Sequence, residues 1–196
     1  MIKKSFAKTN LGLKIINQRT DGYHNLQSIF IQISLYDKLK FIPHNKFQIK
    51  STGISVPLDK SNTIFKAVNL IENQFNIQIK YRVELEKNIP LGSGLGGGSS
   101  NAAITLITLL DLYNIKIDRK KLINLAKQIG CDVPFFIHGG IKMVDGVGDK
   151  ISNIDSSVLV DKIILLVFPE FQISTKWAYS QVKKHLVQML ETLLSL

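Results

Sequence analysis

The segment Pro90-Leu91-Gly92-Ser93-Gly94-Leu95-Gly96-Gly97-Gly98-Ser99-Ser100 is the part of this sequence best suited to chemistry. Glycines let a backbone take positive φ and approach a ligand closely, and successive N–H groups at the start of a helix carry partial positive charge. Such a segment suits an anion, phosphate above all. Ser99 and Ser100 fall in the first helical turn, where a hydroxyl can cap the helix, bind phosphate or reach a metal ion carried by a nucleotide. Three phosphate motifs are candidates. A Walker loop requires Gly-Lys-Ser/Thr, and here Gly98 is followed by Ser99. A protein-kinase loop needs His-Arg-Asp and Asp-Phe-Gly partners, which are absent. Gly92, Gly94 and Gly97 satisfy the dinucleotide fingerprint formally, and Asp111 lies roughly where a ribose-binding acid would. That fingerprint belongs in a strand-helix-strand unit, however, whereas a second helix is expected here before any strand. It stays open as an alternative.

The loop must be held by the elements around it. Ile79 to Glu86 alternates as a strand and feeds the glycines, and Ser99 to Tyr113 is apolar nearly all round, which predicts a buried helix. Before it, Ser5 to Ile16 alternates with Leu11, Leu13 and Ile15 on one face and is broken at Thr20-Asp21-Gly22. Ile29, Ile31 and Ile33, then 38–42 and 47–49, continue in strand rhythm. Ser61 or Asn62 can cap a helix whose apolar face is Ile64, Val68, Ile71 and Phe75. Asp118 can cap another over Arg119 to Ile129, ended by Gly130. Val133 to Met143 reads as a strand interrupted at Gly139-Gly140, Ile163 to Phe168 as a short buried strand closed by Pro169, and Ser174 as the start of a final helix. Segregated strands and helices of this kind predict an α+β fold.

With 196 residues, 45% of them hydrophobic, the chain can bury a substantial core. No apolar run approaches the roughly 20 residues that span a bilayer, and the N-terminus has no signal-peptide or transit-peptide pattern, so a soluble cytoplasmic protein without a membrane partner is expected. The formal charge of +10 invites a nucleic-acid reading, but the lysines are scattered, the arginines are Arg19, Arg82 and Arg119, and no basic run is interleaved with aromatics. An anionic small substrate is the better use of that charge. The single cysteine, Cys131, cannot form an internal disulfide and reads as a small buried filler.

The loop resembles the second motif of the GHMP kinases, a Pro-x-Gly-x-Gly-Leu-Gly-x-x-x-Ser run that holds ATP phosphates. Within that superfamily, Ala7-Lys8-Thr9-Asn10-Leu11 is similar to the Ala-Lys-Ile-Asn-Leu strand of the diphosphocytidyl-methylerythritol kinases, and Arg19-Thr20-Asp21-Gly22-Tyr23-His24-Asn25-Leu26 to their Arg-x-Asp-Gly-Tyr-His-x-Leu segment. Gly130-Cys131-Asp132-Val133-Pro134 resembles their Asp-Val-Pro motif, Gly146-Val147-Gly148-Asp149 their Gly-x-Gly-Glu turn, and Pro169 to Thr175 a substrate-side stretch. The resemblance implies a GHMP kinase N-terminal domain of the ribosomal protein S5 domain 2-like fold over 1–158, and over 159–196 only the start of the ferredoxin-like C-terminal domain.

It also implies roles. ATP with Mg²⁺ is the expected cofactor and diphosphocytidyl methylerythritol the small-molecule substrate. Asp132 becomes the general base that takes the substrate hydroxyl's proton, and Lys8 its charged neighbour. Asn10 would contact the methylerythritol portion, Tyr23 would stack on cytosine, His24 would hydrogen-bond the edge of that ring, and Thr175 is a further substrate-side candidate. The glycine-rich segment from Pro90 to Ser100 would bind ATP, with Ser100 a candidate contact to its Mg²⁺. Thr9 and Phe6 depart from the family pattern without touching a proposed catalytic group. No segment after Tyr179 resembles the family's third glycine-rich motif. The Leu186, Leu190, Leu193 and Leu194 face predicts an apolar stripe without a partner, hence a homodimer through the last helix. A nucleotide-binding remnant that turns over poorly, and a nicotinamide oxidoreductase, are the competing readings.

Overall fold

The computed structural model describes residues 1–22, 24–155, 157–159, 162–168 and 177. In chain order the elements are β1 (Ile2–Gln18), β2 (His24–Pro43), β3 (Gln48–Gly53), α1 (Thr63–Phe75), β4 (Tyr81–Lys87), α2 (Gly97–Leu112), α3 (Arg119–Ile129), α4 (Val133–His138), β5 (Ile141–Gly146) and β6 (Lys150–Asn153), followed by a 3-10 turn at Ser157–Leu159. They form two compact units, Met1–Thr9 with Gln32–Gly140, and Asn10–Ile31 with the chain from Ile141 onward.

In the first unit the end of β2 pairs antiparallel with β4, Lys38 opposite Glu86 and Pro43 opposite Tyr81. β3 lies parallel to β4 on its other side, Gln48 opposite Arg82. The amino terminus joins this sheet, since the Met1 ammonium donates to the Phe41 carbonyl at 3.0 Å and Phe41 N–H donates back to Met1 O at 2.8 Å. Helices cover the sheet with its core residues Leu39, Phe41, Val83 and Leu85 against Ile64, Val68, Ile71, Leu106, Leu109 and Phe135, all 2% exposed or less. Both predicted caps form. Asn62 Oδ1 accepts the Ile64 N–H at 2.9 Å, and Asp118 Oδ1 accepts the Lys121 N–H at 2.7 Å. α2 is buried nearly all round, as its lack of a polar face predicts.

The second unit pairs the start of β2 antiparallel with β5, Leu26 opposite Gly146 and Ile31 opposite Ile141, and β5 with β6, Lys142 opposite Asn153. The Gly146-Val147-Gly148-Asp149 segment turns between β5 and β6, with positive φ at both glycines.

Three expectations are corrected. Val133 to His138 is a helix, not the first half of a strand. Pro134 occupies its first turn, where a missing N–H leaves no bond unmade, and burial of Val133, Phe135 and Phe136 overrides their strand propensity. Ile163 to Phe168 is not a buried strand, because it pairs with no strand among the described residues and its side chains face water, Ile163 97%, Leu165 85% and Val167 79% exposed. Cys131 is exposed rather than a core filler, because it sits on the turn ahead of α4. The final helix expected from Ser174, with Leu186, Leu190, Leu193 and Leu194, lies outside the described residues.

Candidate functional site

β4 delivers the chain to the glycine loop, and the loop delivers it to α2. Gly92, Gly94 and Gly96 take φ of 67°, 73° and 69°, so left-handed residues alternate with ordinary ones and successive N–H groups turn to one side. Ser93 folds the loop on itself, donating from Oγ to the Pro90 carbonyl at 2.8 Å and accepting the Leu95 N–H at 3.4 Å. At the helix start Gly96 is the N-cap and supplies no side-chain acceptor, so the first N–H groups of α2 are left uncapped. They open on a cavity of about 210 Å³ lined by the loop from Pro90 to Ser99 together with Thr63 and Lys87. Uncapped amides at the positive end of a long helix, beside a space of that size, fit a phosphate chain.

Gly96 is also where other elements approach. A Cβ there would lie 2.7 Å from Phe136 Cζ of α4 and 3.2 Å from Lys8 Cγ of β1. The Lys8 N–H donates to the Leu95 carbonyl at 2.9 Å, which seats β1 against the loop. Alanine at Gly96 is therefore strained by both its φ and its neighbours, whereas a Cβ at Gly94 meets nothing within 4 Å and is strained by φ alone. We expect Gly96→Ala to lose about 2–4 kcal/mol and Gly94→Ala about 1 kcal/mol in denaturant unfolding. Equal losses would contradict the close approach of Phe136 and Lys8.

Lys8 is 6% exposed. Burial lowers its pKa from the ordinary 10.5, and the nearby Asp132 carboxylate opposes that by raising it. Asp132 is the N-cap of α4 yet its side chain makes no capping hydrogen bond, so this half-buried carboxylate is not consumed by the helix it precedes. The first unit thus brings together Lys8, Asp132 and the loop from Pro90 to Ser99, all proposed from sequence. Ser100 is placed differently. It is 1% exposed and its hydroxyl accepts from Ser5 Oγ at 2.7 Å, so it faces β1 while Ser99 lines the cavity. No cluster of three His, Cys, Asp or Glu side chains that could hold a metal exists among the described residues.

In the second unit, Asn10 Nδ2 donates to Ser28 Oγ at 3.0 Å, and Ser28 Oγ donates to the Gly12 carbonyl at 2.6 Å. His24 is half-buried at the start of β2. Tyr23 and Thr175 lie outside the described residues.

Sequence reasoning missed the charged pair beneath the loop. Lys87 and Asp37 are 2% and 0% exposed, with Nζ to Oδ2 at 2.8 Å. A signal was present: Val83, Leu85 and Lys87 alternate on one side of β4, and Asp37, Leu39 and Phe41 on one side of β2, which puts opposite charges on two inward faces. No helix among the described residues is long and apolar enough to cross a membrane.

Comparison with known proteins identifies relatives of this chain. A family model described as the GHMP kinases N terminal domain matches residues 62–140. A 4-diphosphocytidyl-2-C-methyl-D-erythritol kinase of Persephonella marina is 35% identical over 192 residues, 98% of this chain and 69% of that protein. One of the same description from Francisella tularensis subsp. holarctica is 42% identical over 174 residues, 88% of this chain and 62% of that protein. A crystal structure of 4-(cytidine 5'-diphospho)-2C-methyl-D-erythritol kinase superposes with a TM-score of 0.76 at 33% identity, covering 94% of this chain and 65% of the other. This chain therefore spans about two thirds of the length of these relatives.

Proposed function

Because the chain belongs to the 4-diphosphocytidyl-2-C-methyl-D-erythritol kinase family, we propose that it phosphorylates the 2-hydroxyl of 4-diphosphocytidyl-2-C-methyl-D-erythritol with ATP, a step of the non-mevalonate route to isoprenoids. The observation that carries this reading is the placement, within one compact unit, of Lys8 beside Gly96, where the uncapped start of α2 opens on a cavity, with Asp132 in electrostatic reach of Lys8.

Bound ATP supplies the phosphoryl group, and Mg²⁺ on its phosphates supplies further positive charge. The chain's own groups do the rest. The N–H groups of the loop and the first turn of α2 hold phosphate oxygens, and Ser99, whose residue lines the cavity, adds a hydroxyl there. Asp132 accepts the proton of the acceptor hydroxyl as its oxygen forms a bond to the γ-phosphorus and the bond from that phosphorus to the β-phosphate oxygen breaks, releasing ADP. Lys8 offsets negative charge that develops as this happens. Asn10, Tyr23, His24 and Thr175 serve the acceptor, with Tyr23 stacked on cytosine and His24 on its edge. The work is that of a cytoplasmic enzyme, and the chain acts as a homodimer.

A second reading, ligand binding with impaired turnover, is favoured by the exposure of Ile163, Leu165 and Val167, apolar side chains of a kind that ordinarily pack. One experiment separates the two. ATP consumption is measured with the diphosphocytidyl acceptor, mevalonate and homoserine in turn, alongside calorimetric titration of the acceptor. Turnover with the first acceptor alone is the expected result. Binding of that acceptor without turnover selects the second reading, and neither binding nor turnover removes both.

A further inference from the structure

The glycine loop has few bonds of its own, so its shape must be imposed from its ends. Both ends lead to one side chain. Asp37 of β2 is fully buried, and its Oδ1 accepts the N–H groups of Asn88 and Ile89, each at 2.8 Å, immediately before Pro90. Its Oδ2 accepts from Asn101 Nδ2 at 3.0 Å, the residue that follows Ser100 in α2, and from Lys87 Nζ at 2.8 Å. Lys87 Nζ also donates to the Ile89 carbonyl and lies 3.0 Å from where a Cβ on Gly97 would stand, under the first residue of α2. Asn101 Oδ1 is buried with no partner, so the bond to Asp37 is the one this amide makes among the described residues through its side chain.

We infer that Asp37 is a positioning residue that fixes the separation of the two ends of the glycine loop, and through it the affinity of the loop for the polyphosphate of a nucleotide. The inference rests on reading the loop as the ATP site. Stability alone does not account for the arrangement, because a buried ion pair is often replaced by apolar residues without loss, whereas the direction of these bonds ties two specific backbone segments to one carboxylate. Asp37 touches no ligand in this account. It acts through residues 88–89 and Asn101.

The test compares two variants that both lack the ion pair and are both neutral at these positions. Asp37→Asn with Lys87→Met keeps an oxygen for the Asn88 and Ile89 N–H groups, and its new amide N–H can bond Asn101 Oδ1 once that amide turns over. Asp37→Ala with Lys87→Met keeps neither end. Calorimetry with Mg-ATP and, separately, with the diphosphocytidyl acceptor should show the alanine pair binding ATP about tenfold more weakly than the asparagine pair, with acceptor affinity within twofold. Equal ATP affinity in the two pairs, or a loss shared equally by both ligands, overturns the inference. Wild-type protein that binds acceptor but no ATP overturns the reading of the loop itself, and the inference with it. Should the alanine pair not fold, Asn101→Leu frees the α2 end alone and must still weaken ATP about threefold while sparing the acceptor. Unchanged ATP binding there is equally decisive against it.

Discussion

Asparagine at position 132 should leave a folded protein that binds ATP and acceptor almost normally and turns over about 100-fold or more slowly, the usual loss when a positioned base is removed. The change keeps the shape of the side chain and removes its capacity to take a proton as a carboxylate does. No stability should be lost at α4, since Asp132 makes no capping bond there, but the nearly buried Lys8 ammonium loses its opposite charge, so the variant should be less stable than wild type while Lys8 is protonated. A secondary effect has a definite direction. Asp132 raises the pKa of Lys8 against the lowering by burial, so without its charge the Lys8 pKa falls further. Parallel measurement of rate, ligand affinity and thermal midpoint checks the expectation, and an unchanged catalytic rate would remove Asp132 from the chemistry.

The parts of this molecule that local rules govern were legible in the sequence. α3 begins and ends where Asp118 and Gly130 place it, and α1 follows Asn62, because a cap is a short-range bond between neighbours in the chain. The glycine loop between strand and helix was legible for the same reason. α4 was not, since Val-Pro-Phe-Phe-Ile favours extended backbone in isolation and is made helical by what it packs on, with Phe136 against Gly96. Ile163 to Phe168 failed in the opposite direction. Its composition is that of a buried strand, but burial requires a partner, and composition does not supply one. Ser100 shows a finer limit. Sequence places both serines in the first turn of α2, and only the rotation of that helix decides that Ser99 lines the cavity and Ser100 meets Ser5. Asp37 and Lys87 were hidden for want of register: Lys38 opposite Glu86 in an antiparallel pair puts 37 beside 87, a relation of residues 50 apart.

Lys8→Met should separate stability from activity at the same site. Lysine 8 is nearly fully buried, and burial outweighs the attraction of Asp132, so its folded-state pKa lies below 10.5. Between that lowered value and 10.5 the unfolded chain holds a proton that the folded chain does not, so wild-type stability rises with pH across this window. Below the window the folded protein carries the whole penalty of a buried ammonium. Methionine fills similar space without charge, and Asp132, being half-buried, keeps access to water when its neighbour is gone. The variant should therefore be more stable than wild type by about 1 kcal/mol below the lowered pKa, a modest share of what replacing buried charges has given elsewhere. The difference should shrink as pH climbs and vanish above about 10.5. Activity should move the other way, falling about 100- to 1000-fold, as when one preorganised electrostatic group is lost from a site. Denaturant unfolding of both proteins at several pH values, with turnover measured on the same preparations, tests the two limbs together. A variant less stable than wild type at every pH would sink the electrostatic account of Lys8, and one that is more stable yet fully active would show that its buried charge serves neither the fold nor the reaction.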